Sequence, residues 1–179
     1  MSRYRRSLAD GGSFFFTVNI ADRKSHLLID EIERLRHAFD VARTRHPFQT
    51  IAYCVLPDHL HAVWRLPQND AEYGVRWSII KRSFSSGLAP AVERSSSKAR
   101  KREKGIWQRR FWEHQIRDEA DLQRHVDYVH FNPVKHGHVG RVADWRYSSF
   151  HAYVERGWLP RDWAGTHEDV DSTAFGERD

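Results

Sequence analysis

The spacing of apolar positions changes several times along the chain, and each change marks an element. Residues 14–20 are aromatic or β-branched with hardly a break and show no helical period, which predicts a buried strand. Over residues 25–46 the spacing becomes three and four, through Leu28, Ile32, Leu35, Phe39 and Ala42 with charged residues between. That is an amphipathic helix, ended by His46-Pro47. Residues 49–56 and 59–66 read as an antiparallel pair across the Pro57-Asp58 break, and Trp77, Ile80 and Phe84 mark a helix over 72–85 with Lys81 and Arg82 off its stripe. The order β-α-β-β-α needs one more strand to become a ferredoxin-like α+β sandwich, an antiparallel sheet with helices on one face and the other face open for chemistry.

Residues 89–104 are rich in Ser, Lys and Arg, an insertion that fits either a solvated loop or a loop that follows phosphates. Residues 106–112 supply the expected last strand and carry Arg109 and Arg110, with 114–117 extending it or pairing back. A third helix is predicted over 118–136. Asp118 stands at its N-cap, Glu119 and Asp121 in its first turn, and Leu122, Val126 and Val129 along its buried stripe. His125, Tyr128 and Asn132 lie beside that stripe, His130 falls about 160° round from Tyr128, which suits a surface residue or a DNA contact, and Pro133 is expected to break or kink the helix. The remainder holds Trp145, Tyr147, Phe150, Tyr153, Trp158 and Trp163, an aromatic tail packed back on the body. Residues 1–164 are thus expected to form a single domain and 165–179 a disordered end.

Composition narrows the class. The 179 residues are 40% hydrophobic and 13% aromatic, values of a globular chain with a core. A net charge of +5 suits a polyanionic partner, although it also serves solubility alone. Cys54 is the only cysteine, which excludes a disulfide framework within the chain and cysteine-rich zinc sites, and its place in a strand suggests a small buried side chain. Without a long apolar run or an apolar leader, the sequence reads as a cytoplasmic protein with no membrane partner.

Chemistry concentrates in two places. Alternation along the strand puts His59 and His61 on one face and Leu60 on the other, so two imidazoles can close on one ion or one phosphate; a merely polar sheet face would look the same. With Tyr128 on a later helix of a basic αβ domain, the set suggests phosphodiester chemistry. A divalent metal on His59 and His61 would offset charge on the phosphate, and the tyrosine hydroxyl would attack phosphorus and store the bond covalently. Imidazoles alone suit zinc or manganese, while phosphate and amide oxygens in the shell admit magnesium. His125 and Asp121 could orient Tyr128 or its phosphate, or pair at the surface. Tyr147 and Tyr153, set among Trp and Phe, are read as packing residues.

Several blocks in this order resemble the REP-associated tyrosine transposases, a branch of the HUH single-tyrosine transposase superfamily. They are Met1-Ser2-Arg3-Tyr4-Arg5-Arg6, Leu56-Pro57-Asp58-His59-Leu60-His61-Ala62-Val63-Trp64 and Gly105-Ile106-Trp107-Gln108-Arg109-Arg110-Phe111-Trp112-Glu113-His114. Asp127-Tyr128-Val129-His130-Phe131-Asn132-Pro133-Val134-Lys135-His136-Gly137 and Trp145-Arg146-Tyr147-Ser148-Ser149-Phe150 complete the set. The resemblance implies a ferredoxin-like fold, dependence on Mg²⁺ or Mn²⁺, and cleavage and joining of single-stranded DNA at repetitive palindromic hairpins. His59 and His61 match the HUH histidines and Tyr128 the nucleophile, which leaves a 5′-phosphotyrosine and a free 3′-OH. Asn132 falls where related transposases complete the metal shell. Arg5, Arg6, Arg109 and Arg110 are the candidate phosphate contacts. The aromatic tail fits a monomer better than the helix-swapped dimers of the wider superfamily. A non-catalytic single-stranded nucleic-acid-binding module on the same platform, or a metal-dependent nuclease that uses water, would be the alternatives.

Overall fold

The computed structural model describes residues 11–91, 96–101, 103–163 and 175. The elements are β1 (Ser13–Asn19), α1 (Leu27–Asp30), α2 (Ile32–Arg45), β2 (Gln49–Val55), β3 (His59–Arg65) and α3 (Tyr73–Ser85), followed by α4 (Ser96–Arg100), β4 (Trp112–Gln115), α5 (Glu119–Lys135) and α6 (Phe150–Glu155). The four strands form one antiparallel sheet in the order β2-β3-β1-β4, the ferredoxin-like arrangement that the sequence pattern implies.

Alternation sorts the side chains into two cores. Phe14, Phe16, Val18, Leu60, Ala62 and Trp64 face α2 and α3, where Trp64 stacks on Trp77 with centroids 4.3 Å apart. Inside this layer Arg76 is fully buried. It holds both carboxylate oxygens of Asp70, at 2.8 and 2.6 Å, and donates to the carbonyls of His46 and Pro47, so it ties the end of α2 to the loop before α3. On the opposite face Phe15, Ala52, Cys54, Leu56 and Val63 pack against Val126, Tyr128 and Val129 of α5. The face that the pattern left open is therefore crossed by the third long helix.

Four elements differ from the sequence reading. The helix over 25–46 is two helices, because Glu31, at φ −110° and ψ 33°, leaves helical geometry between them. The last strand is Trp112–Gln115 rather than 106–112; Trp107 makes only an isolated bridge to Ile20 and the Gln108 amide donates to Asn19. Pro133 does not end α5, which continues to Lys135; the proline forgoes the one hydrogen bond it would donate to the Val129 carbonyl, and only Val134 and Lys135 follow it in the helix. Within 89–104, α4 forms, the Ala91 amide donates to the Lys104 carbonyl, and Lys104 Nζ reaches the carbonyls of Ser85 and Leu88; residues 92–95 and 102 lie outside the described residues.

The aromatic tail packs as expected. Residues 147–149 run along β2, with the Val55 amide donating to Tyr147 and the Ser149 amide to Tyr53, and so cover that edge of the sheet. Among the described residues no helix is long and apolar enough to cross a membrane.

Candidate active site

The site begins with the register of β1 against β3. Thr17 lies opposite His61 and Asn19 opposite His59, so the one hydroxyl of an otherwise apolar strand core lands beside an imidazole. Thr17 Oγ1 is 2.9 Å from His61 Nδ1 and donates its own proton to the Phe175 carbonyl at 2.6 Å. His61 therefore carries its proton on Nδ1 and donates it to Thr17. His59 Nδ1 is 2.7 Å from Asp58 Oδ1, and Arg23 pairs with the other Asp58 oxygen at 3.1 Å. Burial works to raise the Asp58 carboxyl, but the His59 hydrogen bond and the nearby charges of His59 and Arg23 outweigh it and hold the pKa below the usual range. Both imidazoles are thus fixed through Nδ1, so that Nε2 of each is the atom that could hold a metal. Their centroids lie 5.0 Å apart, with planes at 85°.

Helix α5 brings the tyrosine to this pair. Asp118 caps its N-terminus by accepting from the Asp121 amide, as the sequence predicts. The Tyr128 ring stands edge-on to His61 at 5.3 Å, and Asn132, one turn further, is fully buried. His59, His61 and Tyr128, predicted from two separate segments, come together on one face of the sheet, and Asn132 follows Tyr128 by one turn of the same helix.

Some neighbours were not among the predicted site residues. Thr17 and Asp58 anchor the imidazoles. Lys135, two turns past Tyr128, donates from Nζ to the tyrosine hydroxyl at 2.9 Å and sits 4.7 Å from the ring centroid. Phe175 stacks face-to-face on Tyr128, centroids 3.8 Å apart and planes within 9°. Lys135 was legible, since two turns bring a residue back to the same helix face. Nothing in the sequence pointed to Phe175, whose segment, residues 165–179, otherwise lies outside the described residues.

Other candidates fall elsewhere. Arg5 and Arg6 lie outside the described residues. Arg109 and Arg110 follow the segment docked on the end of β1, where Asn19 faces His59; Arg109 is engaged with Glu103 at 2.9 Å and with Ser97. Asp121 and His125 are buried rather than at the surface. Asp121 accepts from His114, Arg117 and Arg124, and His125 Nδ1 donates to the Asp121 carbonyl at 2.7 Å. This group joins β4 to α5, and burial pushes His125 down to about 4. His130 is not a surface residue either. It is fully buried, 2.9 Å from Ser149 Oγ, and burial lowers it to about 4. Cys54 is buried, which pushes its thiol far up and makes it inert.

A ferredoxin-like sheet with paired histidines on a central strand, faced by a tyrosine from a helix, is the arrangement that the resemblance to the tyrosine transposases implies. Comparison with known proteins identifies the family. The chain is 46% identical over 166 residues, 92% of its length and 94% of the relative's, to a protein of Haemophilus influenzae assigned to the REP-associated tyrosine transposases. It is 44% identical to the REP-associated tyrosine transposase of Escherichia coli over 99% of this chain and 98% of that one. A solved REP-associated tyrosine transposase, bound to a REP hairpin, superposes with a TM-score of 0.83 at 44% identity and covers 96% of each chain. No family model matches. The chain belongs to the REP-associated tyrosine transposases.

Proposed function

We propose that this protein is a metal-dependent single-stranded DNA endonuclease and strand transferase that acts on repetitive palindromic hairpins through a covalent phosphotyrosine. The observation that carries the reading is the convergence of Tyr128 with two imidazoles whose Nδ1 atoms are already engaged. That donor set suits a divalent ion: two Nε2 atoms and the side-chain oxygen of Asn132 as a third ligand, with phosphate oxygens of the DNA completing a mixed shell that fits Mn²⁺ or Mg²⁺. The ion would supply Lewis-acid polarisation of the scissile phosphate.

The rest falls to the chain itself. Tyr128 Oη attacks phosphorus as the P–O3′ bond breaks, giving a 5′-phosphotyrosine and a 3′-OH; the reverse reaction on another 3′-OH joins strands. Thr17 and Asp58 hold the imidazole tautomers, and Phe15, edge-on to Tyr128 at 6.0 Å, backs the ring. The hairpin substrate is carried over from the complex of the solved relative, and the net charge of +5 supports a polyanionic ligand.

The test is a covalent protein–DNA band on a denaturing gel, formed with a hairpin bearing a single-stranded extension. It should require Mn²⁺ or Mg²⁺, vanish with chelator, and vanish in Tyr128→Phe while hairpin binding persists. Cleavage without a covalent band would make water the nucleophile and refute the assignment.

A further inference from the structure

Lys135 occupies the last turn of α5, and its ammonium nitrogen lies 2.9 Å from the Tyr128 hydroxyl oxygen and 4.7 Å from the ring centroid. An ammonium group has three donors and no acceptor, so the tyrosine oxygen is the acceptor in this bond and its own proton points elsewhere. A positive charge is therefore fixed on the atom that becomes the nucleophile. A lysine in a last turn can serve the helix dipole alone from any exposed direction; this one is half-buried and reaches back along the helix to the Tyr128 hydroxyl.

Resting on the phosphotyrosine reading above, we propose that Lys135 is a catalytic residue of both cleavage and joining: its ammonium group offsets negative charge on the Tyr128 oxygen, as that oxygen attacks phosphorus and again as it leaves. In cleavage the P–O(Tyr128) bond forms while P–O3′ breaks. The tyrosine proton passes to solvent, the departing 3′ oxygen takes one from solvent, and Lys135 keeps all its protons. Joining runs the same steps backward. Lys135 serves there because a phenolate leaving group needs the stabilisation that the attacking oxygen needed. One positioned charge thus acts on the shared transition state from the tyrosine side, while the histidine pair faces the phosphate side.

The experiment compares Lys135→Ala, Lys135→Met and Lys135→Arg under single turnover with saturating hairpin DNA and Mn²⁺. It also follows rejoining from isolated adduct supplied with a 3′-OH strand. Both rates should fall about 10²- to 10³-fold in the Ala and Met variants, in line with loss of one preorganised charge donor at a reacting oxygen. Hairpin affinity and thermal midpoint should stay near wild type. Arg should retain part of the rate, and ethylammonium should restore part of it to Lys135→Ala. Rates within two-fold of wild type would overturn the proposal. So would a loss expressed only as weaker hairpin binding, which would make Lys135 a phosphate contact, or slow rates without any return from arginine or ethylammonium. Lys135→Met keeps the aliphatic stem should the alanine variant fold poorly. Tyr128→Phe, run beside them, separates the two readings: an adduct in that variant would remove Tyr128 as the nucleophile, whereas its absence there with normal rates in the Lys135 variants would sink only the role of Lys135.

Discussion

Phe175 covers one face of the Tyr128 ring and is itself 7% exposed, so a DNA strand approaching from that side meets a phenyl group before it meets the tyrosine. Replacing Phe175 by Ala removes the ring but keeps the backbone carbonyl that accepts from Thr17, so the anchor on His61 stays in place. Thr17→Val would be a poorer probe, since it disturbs the cover and the imidazole together. The ring's burial is worth about 1.5–3 kcal/mol and its stacking on Tyr128 about 0.5–1.5 kcal/mol more. Part of the sum is offset by the conformational freedom that residue 175 regains. A net weakening of about 2–3 kcal/mol would shift the balance between covered and uncovered Tyr128 by roughly 30- to 150-fold, at about 1.4 kcal/mol per factor of ten. The assay is the initial rate of covalent adduct formation at saturating hairpin and metal. Phe175→Ala should be faster, up to that ceiling, and Phe175→Tyr, which keeps the stack, should resemble wild type. An equal or slower rate in Phe175→Ala, with binding unchanged, would refute the reasoning: the ring would then leave the tyrosine at no cost or support it during attack.

Asp58→Ala removes the acceptor of His59 Nδ1 and should weaken Mn²⁺ binding about 10- to 100-fold, as measured by electron paramagnetic resonance of the free ion; unchanged affinity would remove Asp58 from the metal's outer shell. Replacing both Arg109 and Arg110 by Ala should weaken binding of all hairpin sequences alike and flatten the log-affinity against log-salt slope by about 0.7 for each lost phosphate contact on single strands. The Glu103 pair already engaging Arg109 makes Arg110 the larger contributor, and an unchanged slope would assign both to structure. His125, at about 4 when folded against about 6.5 unfolded, is stabilising while neutral, so its contribution is complete above pH 6.5 and declines as pH falls toward 4, by up to about 3 kcal/mol. Urea denaturation between pH 7 and 4 should show a shallower acid loss in His125→Gln, and parallel curves would refute the assignment.

Much of this was legible because two periods carry it. Strand alternation put His59 and His61 on one side, and helical spacing put Tyr128 and Asn132 in line, before any tertiary contact was known. What escaped depends on register and on distant partners. Thr17 reads as an unremarkable polar residue until pairing sets it opposite His61. His130 looked exposed because its neighbours on α5 imply a surface angle, yet the aromatic tail folds over that side and Ser149 meets the ring. The arginine-bearing segment before Phe111 resembled a strand by composition but finds only bridge-like contacts to β1, and the four residues that follow it supply the ladder.

The histidine strand and the tyrosine helix belong to one polypeptide and pack against each other within it. Function should therefore be inherited molecule by molecule. In a mixture of a chain lacking the histidine pair with a chain carrying Tyr128→Phe, neither partner can lend the other what it lacks, so the two defects should fail to complement. Wild-type protein diluted with either should lose activity in simple proportion. A cell carrying one intact and one defective copy would keep half its activity, with no dominant loss.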